Sequence, residues 1–439
     1  MELAPAAAAS LKLLLIFALI IALLKLHVKL WLTLAAACVF TALLSGLWPE
    51  RWPGIIAGLL TDRNFLLLCL MIWLMLLLSG VQDAGGQSAR LVDGLERYLR
   101  NPRFRLALFP ALVGLMPMPG GALFSCPMIK AAAGHMNLSD EQKTLINYWF
   151  RHIWEAAWPL YPGYLLVSSL LGLSITTLWR YTFPLVFLAC GIGWFFFMRS
   201  IASENLPENA PVAELGGEAD RGASLGAALL NALPLAVTLL GAAFFGILID
   251  IFLPEVPGQA AFSLSLLLAV ATALFQCRGR MRKTLASLAF SGNMLNILFM
   301  LIAIFLFKDI ISASGIVRDL GEMSAGGLML FVTCMVIPFI SGLLTGLMVA
   351  FVGLSFPVVL GYVQHAGLQE YLVPLVIVSL VSGNCGQMLS PMHVCLVVTC
   401  EFFKTDLSKI WLKLLRPISV LLLAGLSWAL VTLASGVTF

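Results

Sequence analysis

Three residues in one apolar stretch carry groups able to do chemistry together. Asn147 to Gly163, NYWFRHIWEAAWPLYPG, sets Arg151, His152 and Glu155 among aromatic and aliphatic side chains. A guanidinium grips an anion through paired N–H donors. A carboxylate or an imidazole carries a proton. Ionisable groups are costly inside a bilayer, so they face a partner or a watery cavity and mark a pathway. Arg151 and Glu155 stand four apart, on one face of a helix. That spacing suits an anion held by Arg151, and equally an internal Arg151–Glu155 ion pair. Glu155, His152 and His393 are the candidate proton carriers. Pro159, Pro162 and Gly163 then break the helix and free backbone groups for another partner.

A second break is expected over Val381 to His393 in the other half of the chain. It supplies Ser382, Gly383, Asn384, Ser390 and His393 as candidate binding residues. Their short polar groups suit a carboxylate, a hydroxyl or Na+ alike. No HExxH, GxSxG or aspartyl pair lies on a span, so no catalytic residue is assigned and no enzyme is expected. No Walker loop points to nucleotide-driven work.

These groups need a membrane scaffold to position them, and composition supplies it. Of 439 residues, 61% are hydrophobic and 11% charged, with a mean hydropathy of +0.99. A soluble domain carries roughly 25% charged residues. The chain is therefore expected to be an all-α polytopic membrane protein, with the lipid bilayer as its partner and no nucleic acid. The nine cysteines are scattered without Cys-x-x-Cys or Cys/His ligand spacing, so neither disulfides nor a structural zinc site is indicated.

In chain order, apolar runs at 11–24, 30–47, 64–81 and 181–198 read as spans. Residues 48–54 read as an interfacial turn, and 87–105, with five arginines among apolar residues, as an amphipathic surface helix. Residues 106–130 are long enough to span but carry Pro110, Pro117, Pro119 and Pro127. The cluster Pro117-Met-Pro-Gly-Gly121 suits the tip of a re-entrant hairpin, with Ser125 beside it. A broken helix follows at 144–171, and residues 200–224 read as a polar linker.

The second half, 225–439, repeats the order of the first, 1–199. A hairpin falls at 328–361, with Ser341, Gly342, Thr345 and Gly346 at its tip, and a broken helix at 372–403. With about five spans plus one hairpin per half, lysines and arginines segregate strongly. Lys12, Arg51, Arg63, Arg180, Lys308 and Arg318 fall on one side, and all others except Arg151 on the opposite side. Counting both hairpins as full spans nearly evens the distribution, so the positive-inside rule prefers the hairpins. Five is odd, so the two repeats are inverted. Both termini are expected outside the inner membrane of a prokaryotic cell. Inverted repeats with discontinuous helices near the midplane are the architecture of secondary transporters.

The order of hairpin, broken helix, linker, hairpin and broken helix resembles the ion-transporter superfamily of divalent-anion/sodium symporters and gluconate and citrate permeases. PMPGGALFSCPMI, NYWFRHIWE and SPMHVCLVVTCEFF are similar to an uncharacterised branch, domain-of-unknown-function family 401. The resemblance implies a homodimer in which a scaffold supports a mobile transport domain, moving a small-molecule substrate by an elevator-like displacement. The symporters carry paired Ser-Asn-Thr sequences at their tips, and this chain does not. The expectation from sequence is thus ion-coupled transport of a small organic anion. Arg151 and the hairpin tips form the site, and the coupling ion is H+, or Na+ bound at the tips. A neutral or zwitterionic solute or an inorganic oxyanion is the alternative cargo; a channel or a membrane-embedded enzyme is the alternative class.

Overall fold

The computed structural model describes residues 3–47, 49–87, 90–91, 101–115, 121–133, 136–199, 201, 225–253, 255–277, 287–288, 291–322 and 327–436. Most of the expected surface helix, the tip residues Pro117, Pro119 and Gly120, and nearly all of the linker lie outside these residues. Regular structure among the described residues is entirely helical. Four helices open the chain: α1 (Leu3–Lys25), α2 (Leu30–Ser45), α3 (Trp52–Thr61) and α4 (Arg63–Ala84). The helix α3 corrects the reading of residues 48–54 as a turn alone, because Pro53 sits in its first turn, where no N–H is needed. The hairpin arms α5 (Pro102–Gly114) and α6 (Ala122–Ala132) come next. The first broken helix is α7 (Asp140–His152) plus α8 (Pro162–Leu171), followed by α9 (Ile175–Thr182) and α10 (Pro184–Gly193).

The second half comprises α11 (Leu225–Phe252), α12 (Gln259–Gln276), α13 (Gly292–Ala313) and the short α14 (Ile316–Glu322). Then α15 (Gly327–Phe331) passes through a π-helical turn, Val332–Val336, into α16 (Ile337–Thr345), and α17 (Met348–His365) returns. The π turn absorbs Pro338, whose ring would crowd the carbonyl four residues back. The second broken helix is α18 (Leu372–Met388) plus α19 (Val394–Phe403), and α20 (Leu407–Ala434) closes the chain. Ten helical segments among the described residues are long and apolar enough to cross a membrane. The chain is a multi-pass all-α membrane protein.

The two hairpins differ in reach. Arms of 13 and 11 residues extend about 20 and 17 Å at helical rise, short of a hydrocarbon core about 30 Å thick. The second hairpin's arms, Gly327–Thr345 and Met348–His365, have 19 and 18 residues and extend roughly 28 and 27 Å.

Two apolar cores share the load. One gathers α1, α2, α4, α8, α11 to α14 and α17, around Phe262, Phe305, Phe351 and Phe356. The other gathers α5, α6, α7, α10, α18, α19 and α20, around Tyr148, Trp149 and Phe403. Outward faces, such as Leu229, Leu240, Phe244, Ile247 and Ile251 of α11, stay apolar and exposed, as lipid contact requires. Helices α16 and α18 pack almost backbone to backbone. A Cβ on Gly342 would lie 2.1 Å from the Gly383 carbonyl oxygen, and one on Gly386 2.0 Å from that of Phe339. Small residues permit this approach where apolar solvent gives no hydrophobic drive between helices.

Gly342→Ala and Gly386→Ala push a methyl into backbone, which cannot rotate away. Each should lose about 1–3 kcal/mol of stability, seen as a lower unfolding midpoint of detergent-purified protein. Gly58→Ala, facing open space on α3, should leave the midpoint unchanged. Unaltered midpoints for both interior variants would show that α16 and α18 do not pack this closely.

Candidate functional site

The helix α7 is fixed at its start by local chemistry. The Ser139 side chain accepts from the Gln142 N–H, and Gln142 Oε1 accepts from the Ser139 N–H, a reciprocal capping box. Asp140 and Glu141 sit in the first turn and Arg151 and His152 in the last, matching the helix dipole at both ends. Lys413 of α20 bonds Glu141 at the exposed start and holds its carboxyl below the usual range, first through that hydrogen bond and then through its charge. These contacts aim the far end of α7 at the protein's interior.

The helix stops at His152, and that stop shapes the site. Glu155 lies in the turns beyond it rather than one turn further along the same helix. The two residues therefore do not lie on one continuous helix, contrary to the expectation from their i,i+4 spacing. Aromatic groups of the break satisfy the end of α5. Trp154 Nε1 donates to the Ala111 carbonyl at 2.8 Å, Tyr161 Oη to Gly114 at 2.6 Å, and Trp158 Nε1 to Leu115 at 2.8 Å. The last carbonyls of a helix have no partner within it. The Ala111 carbonyl also accepts from the Leu115 N–H; three side chains of the break add a donor each here, and so fasten the first hairpin to it.

Inside this frame the polar groups meet. His152 Nε2 lies 2.9 Å from His393 Nε2, and His152 Nδ1 lies 2.5 Å from the Tyr148 carbonyl oxygen. A carbonyl only accepts, so His152 carries its proton on Nδ1 and offers a bare Nε2. The ring of Tyr148 packs against both imidazoles, and its hydroxyl donates to the Met388 carbonyl at 2.8 Å. Glu155 Oε2 accepts from Gln387 Nε2 at 2.7 Å, while Oε1 lies 3.9 Å from His152 Nε2. Arg151 Nη1 donates to Cys395 Sγ at 2.8 Å. Arg151, His152, Glu155, Gln387 and His393 are all buried.

The remaining predicted residues divide by location. Gly121, at the start of α6, lies against Arg151; a Cβ there would fall 2.5 Å from Nη2, so the guanidinium would have to move to admit a side chain. Ser125 back-bonds weakly to Gly121 and Ala122. Gly346 ends α16 at φ +62° and packs on Ser390 Oγ and the His393 backbone, where any side chain would be both strained and crowded. Thr345 bonds the Ser341 carbonyl, and Ser382 bonds that of Met335. Ser390 Oγ accepts from the Met392 N–H, as a turn residue does. Ser382, Gly383 and Asn384 lie inside continuous α18, not in the break as expected. The break itself is 389–393, because the glycines at 383 and 386 serve close packing rather than a turn. Asn384 and His152 line a cavity of about 10 Å3, about one water's room. Buried acceptors without hydrogen-bond partners among the described residues include Asn384 Oδ1 and Gln387 Oε1, while the His393 ring meets the Gly346 backbone.

Gln387 and Cys395 belong to the site and escaped the sequence reading. The available signals were an amide three residues beyond Asn384 and a thiol two beyond His393.

A profile described as "Protein of unknown function (DUF401)" matches residues 8–438. No curated protein matches the chain. Among solved structures it is similar to the Alcanivorax borkumensis YdaH transporter, whose crystal structure is described as revealing an unusual topology. The match has 14% identity and a TM-score of 0.57, and covers 89% of this chain and 90% of that one. At that identity the likeness establishes a shared fold.

Gln387→Met removes the donor to Glu155 in a buried setting and should cost about 1–3 kcal/mol. In a double-mutant cycle with Glu155→Gln, unfolding in detergent should give a coupling of about 0.5–3 kcal/mol. A coupling near zero would mean that the two side chains do not act as a pair.

Proposed function

The chain belongs to the DUF401 family, and we propose that it is a secondary active transporter of a small organic anion, coupled to H+ or Na+. One observation carries this reading. A buried arginine, Arg151, ends a half-helix beside the start of another half-helix at Gly121, with unpartnered polar atoms of Asn384 and Gln387 in the same interior. Helix starts and guanidinium groups both favour negative charge. Buried polar atoms left without partners call for a ligand or water.

In this reading the carboxylate of the solute lies between Arg151 and the first hairpin, and its remaining polar groups reach α18. Gly121 is kept small so that the hairpin closes onto the guanidinium. Glu155 and His152, 3.9 Å apart at their nearest polar atoms, form the route for a coupling proton. Inverted repeats would let one half-site open to each side in turn. The fold shared with the YdaH transporter supports a carrier over a channel or an enzyme. A homodimer moving its hairpin-bearing domain as an elevator, with both termini outside an inner membrane, completes the proposal. A neutral or zwitterionic solute or an oxyanion is the alternative cargo.

The test is a thermal-shift screen of carboxylates, sugar acids, amino acids and oxyanions on purified protein, with and without Na+ and at two pH values. A ligand at 100 times its Kd should add about 2.7 kcal/mol. The hit should then enter proteoliposomes, driven by a gradient of H+ or Na+. Arg151→Gln should abolish both the shift and the uptake. A stabilising cation or neutral solute indifferent to Arg151 would sink the anion reading.

A further inference from the structure

The two imidazoles and the thiol next to them do more than pack. His152, His393 and Cys395 each place one ligand atom within 4.8 Å of the others', and the two Nε2 atoms face each other. Ligands about 2.0–2.1 Å (nitrogen) and 2.3 Å (sulfur) from a tetrahedral zinc ion stand roughly 3.3–3.6 Å apart. The observed 2.9 Å between the two nitrogens and the 4.8 Å limit bracket that spacing, so shifts of about 1 Å would seat an ion. Glu155 Oε1, 3.9 Å from His152 Nε2, lies beside this group of three and would have to move in to serve as a fourth ligand.

The surroundings fit as well. A metal-binding histidine usually donates its other N–H to a carbonyl or carboxylate, which fixes the ring and frees the ligating nitrogen. His152 does this through Nδ1 and the Tyr148 carbonyl. Glu155 is oriented by Gln387, and Arg151 donates to Cys395 Sγ. The His393 ring also meets the Gly346 backbone, so Nδ1 can take the proton that Nε2 would give up. Two nitrogens, one sulfur and one carboxylate form a mixed donor set suited to a borderline-soft divalent ion, zinc first.

We propose that His152, His393, Cys395 and Glu155 form a site for a divalent transition-metal ion at the crossing of the two broken helices. The inference rests on this geometry and not on the transport reading. A divalent ion with one thiolate and one carboxylate is neutral overall, so it would leave the charge of Arg151 in place. Its binding would join α7, the first break and α19 through one centre.

Co2+ alone, titrated into chelator-stripped, full-length protein in detergent, is the probe. Saturable, stoichiometric binding should appear, with thiolate-to-cobalt charge transfer in the near ultraviolet and the intense visible bands of a tetrahedral site. The unfolding midpoint should rise with Co2+ concentration. Cys395→Ser should remove the charge-transfer band, and His152→Gln or His393→Gln should weaken binding at least ~10-fold. Cys69→Ser, on a thiol outside the cluster, should change nothing. Should the Cys395 variant fail to fold, X-ray absorption of the wild-type zinc complex should show a single sulfur and two imidazoles. Absent bands, bands that survive Cys395→Ser, bands lost with Cys69→Ser, or a shell of oxygen and nitrogen alone would each overturn the site.

Discussion

A helix that ends inside a bilayer leaves carbonyls and N–H groups that lipid cannot satisfy. This chain ends α7 and α18 in its buried interior, and its polar groups there answer that cost. At the end of α5 the answer is explicit. Two indoles and a phenol from one break donate to three terminal carbonyls. Hairpin and break thereby become one unit, and Arg151, at the other end of the same break, is held against Gly121. The position of the charge follows from the needs of the backbone.

The second broken helix solves the same problem with small residues. Gly342 and Gly386 let α16 and α18 touch backbone to backbone, and Gly346 turns the chain tightly beside His393. The two halves are joined by side chains instead. The His152–His393 contact and the Glu155–Gln387 bond cross between residues more than two hundred positions apart. Each of these bonds ties one half of the chain to the other at the buried centre.

Element types and much of their order were legible from hydropathy and from proline and glycine. Spans such as 64–81 and 181–198 fall within the observed helices Arg63–Ala84 and Ile175–Met198. Helix ends were less legible. Pro159 suggested a late break, yet α7 stops at His152, because the following turns satisfy themselves and turn their aromatic groups toward α5. In the second half Ser382 to Asn384 looked like a break, and the helix runs through them to Met388. A glycine reads the same whether it turns the chain or admits a neighbouring helix, and only the neighbour tells which.

The sequence by itself determined that the chain crosses a membrane many times and that Arg151, His152 and Glu155 sit in an apolar interior. Length and apolarity of a run fix a span, and the price of a buried charge makes such residues stand out. Only the tertiary structure decided who meets whom. His152 turned to His393, Glu155 turned to Gln387, and Cys395 came to Arg151. No period or spacing along the chain encodes such meetings. They depend on where separately formed helices stop and how closely their backbones pack.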